Sequence, residues 1–379
     1  MTMSMPGEDG VSTGSAAPVQ HRLAGRPSRR RLRMLAAISG IGLRVMPKIP
    51  DPLKRILLGG RQVTIDGNTL DTTLQFMLSA QRMSRAGGLV ASSNVDDARA
   101  MLHMLGAHLR SGVQADTRDL AIPGPDGSSI RARHYRPATA TGAPLLVFFH
   151  GGGFVIGDLE SHDELCRLIC RDAGVHVLSI DYRLAPEHPA PAGVDDCYAA
   201  YRWALEHAAE LDADPARIAV GGDSAGGNLA AVVCRLARAE GVDAPVLQLL
   251  IYPVTDFVGD TRSKVLFADG FFLRKADMDW FRACYLNGSA LTASDPRVSP
   301  LLAEDLSGLP PALVLTGGFD PLRDEGTAYA EALAAAGVAV DHRRYGSLVH
   351  GFVNFFPLGG GSATATAEMV AALKAALAR

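Results

Sequence analysis

The chain has 379 residues, of which 47% are hydrophobic and 20% are charged, as in ordinary globular proteins. Its formal net charge of −3 gives no electrostatic reason to expect nucleic acid as a partner. The length allows one large domain or two average ones, each with a sizeable core. No segment reaches the roughly 18 apolar residues that cross a bilayer, so no transmembrane segment is predicted.

Residues 1–48 are predicted to be a flexible tail followed by a basic amphipathic helix. Residues 1–27 are rich in Ser, Gly, Pro and Ala, a composition typical of disorder. Arginines at 29–33 then precede an apolar run from Met34 to Met46, but Arg44 interrupts the run and no small-residue cleavage site follows. We therefore expect a helix that packs on the body or touches a membrane surface peripherally, rather than a signal peptide.

Residues 49–118 are predicted to form a small helical region rather than a second full domain. From Met34 to His108 the pattern is helical and free of strands. The apolar residues at helix spacing are Leu70, Leu74, Met77, Leu78, Met101, Leu102 and Leu105.

From residue 119 to 379 the pattern alternates between strands and helices. A turn signal at 124–127 lies between two strand-like segments and predicts an antiparallel hairpin. Short apolar runs then predict buried parallel strands at 145–149, 175–180, 218–220, 246–251 and 312–315. Helical patterns follow at 159–173, 194–208, 224–239, 321–336 and 363–378. The alternation predicts an α/β fold, an open and mostly parallel sheet with helices on both faces.

The interval between Tyr252 and Pro311 breaks this alternation. It contains no clear strand, and residues 275–286 have the pattern of an amphipathic helix. Its aromatic residues favour a lid, inserted at about 255–305, above the carboxyl edge of the sheet where ligands bind in such folds. Two additional surface helices are the alternative interpretation.

Ser224 is the candidate nucleophile. It lies in a G-x-S-x-G motif at 222–226, directly after the predicted strand at 218–220 and before a helical run. In that position the serine occupies a sharp strand-to-helix turn, and the flanking glycines let neighbouring backbone approach closely. The spacing alone is a weak signal, so the prediction depends on the strand and helix around it.

A glycine-rich loop supplies the candidate oxyanion hole. The sequence His-Gly-Gly-Gly-Phe at 150–154 follows the strand predicted at 145–149. Backbone N–H groups of Gly152 and Gly153, with that of Ala225 after the nucleophile, are expected to hold the oxyanion of a tetrahedral intermediate. A plain glycine-rich loop is the alternative.

Asp320 and His350 are the candidate acid and base. Asp320 follows the strand predicted at 312–315, and His350 follows a last strand predicted at 338–345. The chain order Ser, acid, His is the order that this arrangement requires. His350 is expected to take the proton of Ser224 while Asp320 fixes its tautomer. Asp324 is the competing acid, but we expect it to cap a helix or to pair with Arg323.

The remaining histidines and cysteines predict no metal or cofactor chemistry. No His/Cys cluster or H-E-x-x-H motif is present, and no G-x-G-x-x-G opens a helix after the first strand. The odd count of five cysteines predicts free thiols, with Cys166 and Cys170 on the buried face of one helix. His103, His108 and His162 are predicted to lack a catalytic partner, and His188 to lie in a structural loop.

Five motifs, in this order along the chain, resemble the hormone-sensitive lipase family, also known as bacterial lipolytic family IV. They are His-Gly-Gly-Gly-Phe, Asp-Tyr-Arg-Leu-Ala-Pro-Glu at 181–187, Gly-Asp-Ser-Ala-Gly-Gly at 222–227, Asp-Pro-Leu-Arg-Asp-Glu-Gly at 320–326 and His-Gly-Phe at 350–352. The resemblance covers residues 119–379, is looser at 66–71, and does not reach the first 48 residues. The Gly-Asp-Ser-Ala-Gly motif is similar to the motif that marks one of the two main subgroups of the family.

The resemblance implies an α/β-hydrolase fold of about eight strands with a helical cap made of the N-terminal helices and the insertion. It implies a carboxylesterase that cleaves esters of short to medium acyl chains, with Ser224, Asp320 and His350 as its triad and Gly152, Gly153 and Ala225 as its oxyanion donors. Six further residues are expected to shape the substrate pocket: Phe154, Phe271, Phe272, Trp280, Phe281 and Val349. A role in the core of the cap is the alternative for the lid aromatics.

Three other functions compete with this hypothesis. An amidase or arylacetamide deacetylase would use the same triad on an amide. A ligand-binding receptor of the same fold would lack the catalytic histidine, which is present here as His350. An interfacial lipase would respond to aggregated substrate. We expect a cytoplasmic enzyme without cofactor, a monomer or homodimer, acting on a small-molecule ester.

Overall fold

The computed structural model describes residues 42–43, 45–83, 88–90, 92–139 and 141–378. The predicted tail, and the predicted basic helix up to Ile41, lie outside the described residues. Within them, no helix is long and apolar enough to cross a membrane.

The N-terminal region combines three helices with a small ribbon. The helices are α1 (Asp51–Leu57), α2 (Thr72–Met83) and α3 (Val95–His108). The prediction that this region is free of strands is wrong, because β1 (Thr64–Ile65) pairs antiparallel with β2 (Asn68–Thr69). The turn between them is Asp66-Gly67, and both residues have positive φ, 54° and 75°. Asp-Gly with two positive φ values is the hairpin turn whose twist matches paired strands, and two-residue strands are too short to show alternation.

Eight strands form the central sheet. They are β3 (Asp116–Pro123), β4 (Ser129–Arg136), β5 (Ala143–Phe149), β6 (His176–Asp181), β7 (Ala213–Asp223), β8 (Gln248–Ile251), β9 (Ala312–Phe319) and β10 (Val340–Val349). Their order across the sheet is β10-β9-β8-β7-β5-β6-β4-β3. The pairs β3–β4 and β4–β6 are antiparallel and the rest are parallel, so the predicted hairpin and the mostly parallel sheet are confirmed.

Helices cover both faces of this sheet, as predicted. They are α4 (Asp163–Ile169, continued by a wider turn at Cys170–Gly174), α5 (Ala192–His207), α6 (Ala225–Glu240), α9 (Arg323–Ala335) and α10 (Gly360–Leu377). Alternate residues of β5 enter opposite cores. Val147 packs with α5 and α6 on one face, and Phe148 packs with α4 and α10 on the other. Cys166 and Cys170 are buried in the second core, and all five cysteines are free thiols.

The interval between β8 and β9 contains no strand and holds α7 (Arg262–Leu266) and α8 (Lys275–Leu286). Short 3-10 turns at Met46–Lys48, Ala208–Leu211, Pro300–Leu302 and Phe352–Leu358 complete the elements of the described chain. The insertion contacts the N-terminal region directly: the Leu89 N–H donates to Asp277 Oδ2 at 3.2 Å, and Arg274 Nη2 donates to the Val90 carbonyl at 2.8 Å. The two segments therefore pack together over the carboxyl edge of the sheet, while the limits of 49–118 and 255–305 as cap units stay a prediction.

Candidate active site

Ser224 occupies a sharp turn between β7 and α6. Its backbone has φ 56° and ψ −116°, a conformation that a non-glycine residue adopts only when the surrounding structure holds it. A hydrogen bond of 2.8 Å from the Ser224 N–H to the Ile251 carbonyl helps to fix this conformation. A Cβ on Gly226 would lie 2.8 Å from the His150 carbonyl oxygen, so only glycine lets the helix start this close to β5. The turn projects the hydroxyl from the carboxyl edge of the sheet.

Three side chains from distant parts of the sequence form a continuous chain of contacts. His350 Nε2 lies 2.9 Å from Ser224 Oγ, and His350 Nδ1 lies 2.8 Å from Asp320 Oδ2. All three side chains are buried. The Leu322 N–H donates to Asp320 Oδ1 at 2.8 Å and fixes the carboxylate from behind. Because β7, β9 and β10 are parallel, the loops after them meet at one edge, where the structure brings the three predicted residues together.

Asp324 points away from this chain of contacts. Its Oδ2 accepts the Ser263 N–H at 2.7 Å, next to the start of α7, and its Oδ1 accepts Arg323 Nε at 2.8 Å. Burial alone would raise the pKa of Asp324, but the hydrogen bonds from Arg323 and Ser263 lower it below its ordinary value. The predicted pairing with Arg323 is therefore confirmed.

The glycine loop after β5 presents free backbone N–H groups. Gly152 and Gly153 have φ values of 118° and 60°, and no described residue accepts a hydrogen bond from their N–H groups. A Cβ on Gly152 would lie 2.7 Å from the Ile156 carbonyl carbon, and one on Gly153 would lie 2.6 Å from Phe281 Cδ2. Ala225 is the first residue of α6, where an N–H has no partner within the helix. All three predicted donors thus belong to the turns beside Ser224.

A small cavity opens beside Ser224 and His350. Its volume is about 70 Å³, room for about five water molecules. Helix α3 provides much of its apolar wall, together with one lid residue and the turn after His350: Leu102, Leu105, Leu109, Phe272, Phe355 and Phe356. The helix spacing of Leu102 and Leu105 predicted their helix but did not show that it faces the nucleophile.

Of the six residues expected in the substrate pocket, Phe272 lines this cavity. Phe281 lies against Gly153, with Trp280 packed on it at a ring-centroid distance of 5.2 Å. The other three lie in the core instead. Phe154 stacks on Tyr285 at 3.9 Å, Phe271 packs on Phe267 and Phe319, and Val349 is completely buried. Large aromatic side chains fill a protein core as readily as a pocket, so their position in the chain did not distinguish the two.

Sequence reasoning missed a buried polar cluster beside the nucleophile, whose members His162 and Asp223 also line the cavity. The prediction that His162 lacks a suitable partner is wrong, because its Nε2 lies 3.1 Å from Asp223 Oδ1. His103 also has a carboxylate partner, Asp158 at 3.2 Å, and both side chains are about half exposed. Asp223 belongs to the serine motif itself. The one sequence signal for this cluster was its carboxylate, which directly precedes the nucleophile at a position that must be buried.

Comparisons with known proteins agree with this geometry. A family model described as an alpha/beta hydrolase fold matches residues 146–354. The carboxylic ester hydrolase LipN of Mycobacterium tuberculosis is 54% identical, and the match covers 100% of both chains. The carboxylesterase NlhH of the same species is 41% identical over 83% of this chain and 98% of its own length. The solved structure of EstE1, a thermostable carboxylesterase from a metagenomic library, has a TM-score of 0.72 and 45% identity, covering 75% of this chain and 98% of that one.

Proposed function

Because the chain belongs to the hormone-sensitive lipase family of α/β hydrolases and is a carboxylesterase, we propose that Ser224, His350 and Asp320 carry out its chemistry. The observation that carries the proposal is the unbroken chain of contacts from Asp320 Oδ2 through the His350 ring to Ser224 Oγ, with distances of 2.8 and 2.9 Å. These are hydrogen-bond distances that allow direct proton transfer.

In the first half-reaction Ser224 Oγ attacks the ester carbonyl carbon while its proton passes to His350 Nε2. Asp320 holds Nδ1–H and stabilises the imidazolium that forms. The tetrahedral intermediate then collapses: the bond to the alcohol oxygen breaks, and the alcohol leaves with the proton from His350. In the second half-reaction His350 takes a proton from water, the hydroxide adds to the acyl-serine, and the acid departs as Ser224 Oγ regains its proton.

We propose that the N–H groups of Gly152, Gly153 and Ala225 hold the oxyanion in both half-reactions. Support comes from their position beside Ser224 and from the absence of an acceptor for Gly152 and Gly153 among the described residues. The N-terminus of α6 adds its positive dipole end at the same point. Donors that are fixed before the reaction stabilise the developing charge without reorganisation.

The test is a series of p-nitrophenyl esters from acetate to dodecanoate, assayed with the wild type and with Ser224→Ala. We expect kcat/KM to be highest for short to medium acyl chains, since the cavity beside Ser224 is small. We expect Ser224→Ala to lose activity on every ester by about 10⁴-fold or more. Unchanged hydrolysis by this variant would refute the assignment of the nucleophile.

Two further measurements separate the rival activities. Side-by-side turnover of a matched ester and amide distinguishes an esterase from an amidase, because both reactions use the same acyl-enzyme. We expect the ester to be cleaved faster. We also expect no jump in rate above the solubility limit of the substrate; such a jump would identify an interfacial lipase.

We also propose that the enzyme acts in the cytoplasm, as a monomer or homodimer. We further propose that its N-terminal part contacts anionic membrane surfaces peripherally. Support for this membrane contact comes from α1, whose Leu53, Ile56 and Leu57 are 46%, 71% and 58% exposed, with Lys48 and Arg55 exposed beside them. The test is sedimentation with vesicles containing phosphatidylserine, with pure phosphatidylcholine vesicles as the control. We expect binding to the anionic vesicles and its loss in Ile56→Glu; equal recovery with both vesicle types would refute the contact.

A further inference from the structure

The Asp223 carboxylate connects several parts of the proposed active site. Its Oδ1 accepts the Gly151 N–H at 2.8 Å and faces His162 Nε2 at 3.1 Å. Its Oδ2 accepts Asn354 Nδ2 at 3.1 Å and the Tyr252 hydroxyl at 3.3 Å. Asp223 itself directly precedes Ser224. One buried carboxylate therefore joins the turn of the nucleophile to the glycine loop and to the segment that follows His350.

Each ring nitrogen of His162 lies beside an oxygen atom. Ser161 Oγ lies 2.8 Å from the Asp158 carbonyl, to which it can donate its one proton, and 2.9 Å from His162 Nδ1, which can then donate to it. Nε2 lies 3.1 Å from Asp223 Oδ1, a carboxylate oxygen to which it can donate. The Gly151 N–H, which donates to Asp223 Oδ1 at 2.8 Å, also lies 3.3 Å from Nε2. A ring that donates from both nitrogens to these oxygens is an imidazolium.

Resting on the proposed function, we infer that His162 is a cationic positioning residue of the esterase. Its charge balances Asp223, so that this carboxylate can hold the glycine loop and the nucleophile together without opposing the negative charge that develops on the substrate. An unbalanced carboxylate at this place would repel the oxyanion and would favour the protonated form of His350. His162 lines the cavity, but among the described residues it forms no hydrogen bond with Ser224 or His350, and it acts on them through Asp223.

The pKa of Asp223 agrees with a paired carboxylate. Burial alone would raise that pKa, but the charge of His162 and the hydrogen bonds that Asp223 accepts lower it below its ordinary value. A buried ion pair of this kind costs much less than an isolated buried charge.

The other titratable groups around the pair do not supply a second positive charge. His150, whose ring centroid lies 5.6 Å from that of His162, is neutral because burial lowers its pKa to about 4. Burial raises the pKa values of the Tyr252 hydroxyl and the Cys166 thiol, so both are neutral.

The charged neighbours of the pair are acidic. Asp158 keeps a lowered pKa despite burial, because it accepts hydrogen bonds from Ser161 and His103. Asp320 stands behind His350. Within the described residues, His162 is therefore the basic side chain that pairs with Asp223.

The test is a double-mutant cycle with His162→Gln, Asp223→Asn and the double variant, in which kcat/KM for p-nitrophenyl butyrate is measured against pH. Glutamine keeps a side-chain N–H donor but removes the charge. We expect His162→Gln to move the acid limb of the profile to higher pH by about 0.5 to 1 unit and to lower kcat more than it changes KM. We expect Asp223→Asn to move the limb to lower pH and the double variant to bring it back. His103→Gln is the matched control, since its exposed ion pair lies outside the site, and it should not move the limb.

Acid limbs at the same pH in all four proteins would overturn the inference and leave His162 a packing residue. A second readout, independent of activity, covers variants that fail to fold. The ¹⁵N signals of His162 in the labelled wild type should report protons on both ring nitrogens at pH 7, and a neutral ring would overturn the inference. A failure of the proposed function is distinguishable, because it would leave Ser224→Ala active without changing these signals.

Discussion

Replacing Gly153 by alanine should disable the oxyanion hole in a way that a second substitution repairs. An alanine Cβ would lie 2.6 Å from Phe281 Cδ2 and still closer to Cγ and Cδ1, at least about 0.8 Å inside a normal contact of ~3.4 Å, and Phe281 is itself packed against Trp280. The loop should therefore shift and misplace the Gly153 N–H, and losing one oxyanion donor costs about 3–4 kcal/mol, or 10²- to 10³-fold in kcat. The φ of 60° at this position adds about 1–2 kcal/mol of strain for a non-glycine residue.

Phe281→Ala removes the obstructing ring, so the double variant Gly153→Ala/Phe281→Ala should recover kcat to within about tenfold of Phe281→Ala alone. The remaining difference of about 1–2 kcal/mol is the backbone strain at position 153. Gly152→Ala is the matched control, because its Cβ would lie 2.7 Å from the backbone carbonyl carbon of Ile156, which no side-chain truncation relieves. The assay is kcat for p-nitrophenyl butyrate, with circular dichroism to establish that each variant is folded. Equal rescue of both glycine variants by Phe281→Ala, or a fully active Gly153→Ala, would refute this reasoning.

Two other predictions concern the acid and a buried histidine far from the site. Asp320→Asn should lower kcat about 10⁴-fold by allowing the wrong histidine tautomer, whereas Asp324→Asn should stay within about threefold of wild type, and comparable losses would contradict the choice of acid. Burial, and then the charge of His176, lowers the pKa of His134 from 6.5 to about 4, so between these values the unfolded chain binds one more proton than the folded one. The contribution of His134 to the free energy of unfolding is fully present above pH 6.5 and falls by about 1.4 kcal/mol per pH unit as the pH drops towards 4. The free energy of unfolding, measured with urea at pH 7 and at pH 5, should therefore fall by about 2 kcal/mol less in His134→Gln than in wild type. Equal decreases in the two proteins would contradict a neutral buried His134.

The sheet and the helices that pack on it could be predicted from sequence because each has a strong periodic signal. The apolar run at 145–149 enters two opposite cores, so it is apolar throughout, as a strand covered on both faces must be. The loops that hold Ser224, Asp320 and His350 were found because each follows such a strand, and the carboxyl ends of parallel strands meet at one edge.

What the sequence did not predict depends on three-dimensional neighbours. The ribbon at 64–69 is too short for a periodic signal, although its Asp-Gly turn was visible. Phe154 and Phe272 are both aromatic, yet one stacks on Tyr285 in the core and the other lines the cavity. The contact of His162 with Asp223 spans sixty-one positions (223 − 162), and no local pattern indicates it.

The most direct test of the central claim is to trap the nucleophile. A fluorophosphonate transfers its phosphorus to an activated serine oxygen as fluoride leaves, and the adduct mass can be mapped by peptide mass spectrometry. The account predicts one adduct, on the peptide that carries Ser224, formed in parallel with loss of esterase activity and absent from Ser224→Ala. An adduct on another residue, or full inactivation of the enzyme with Ser224 unmodified, would contradict it.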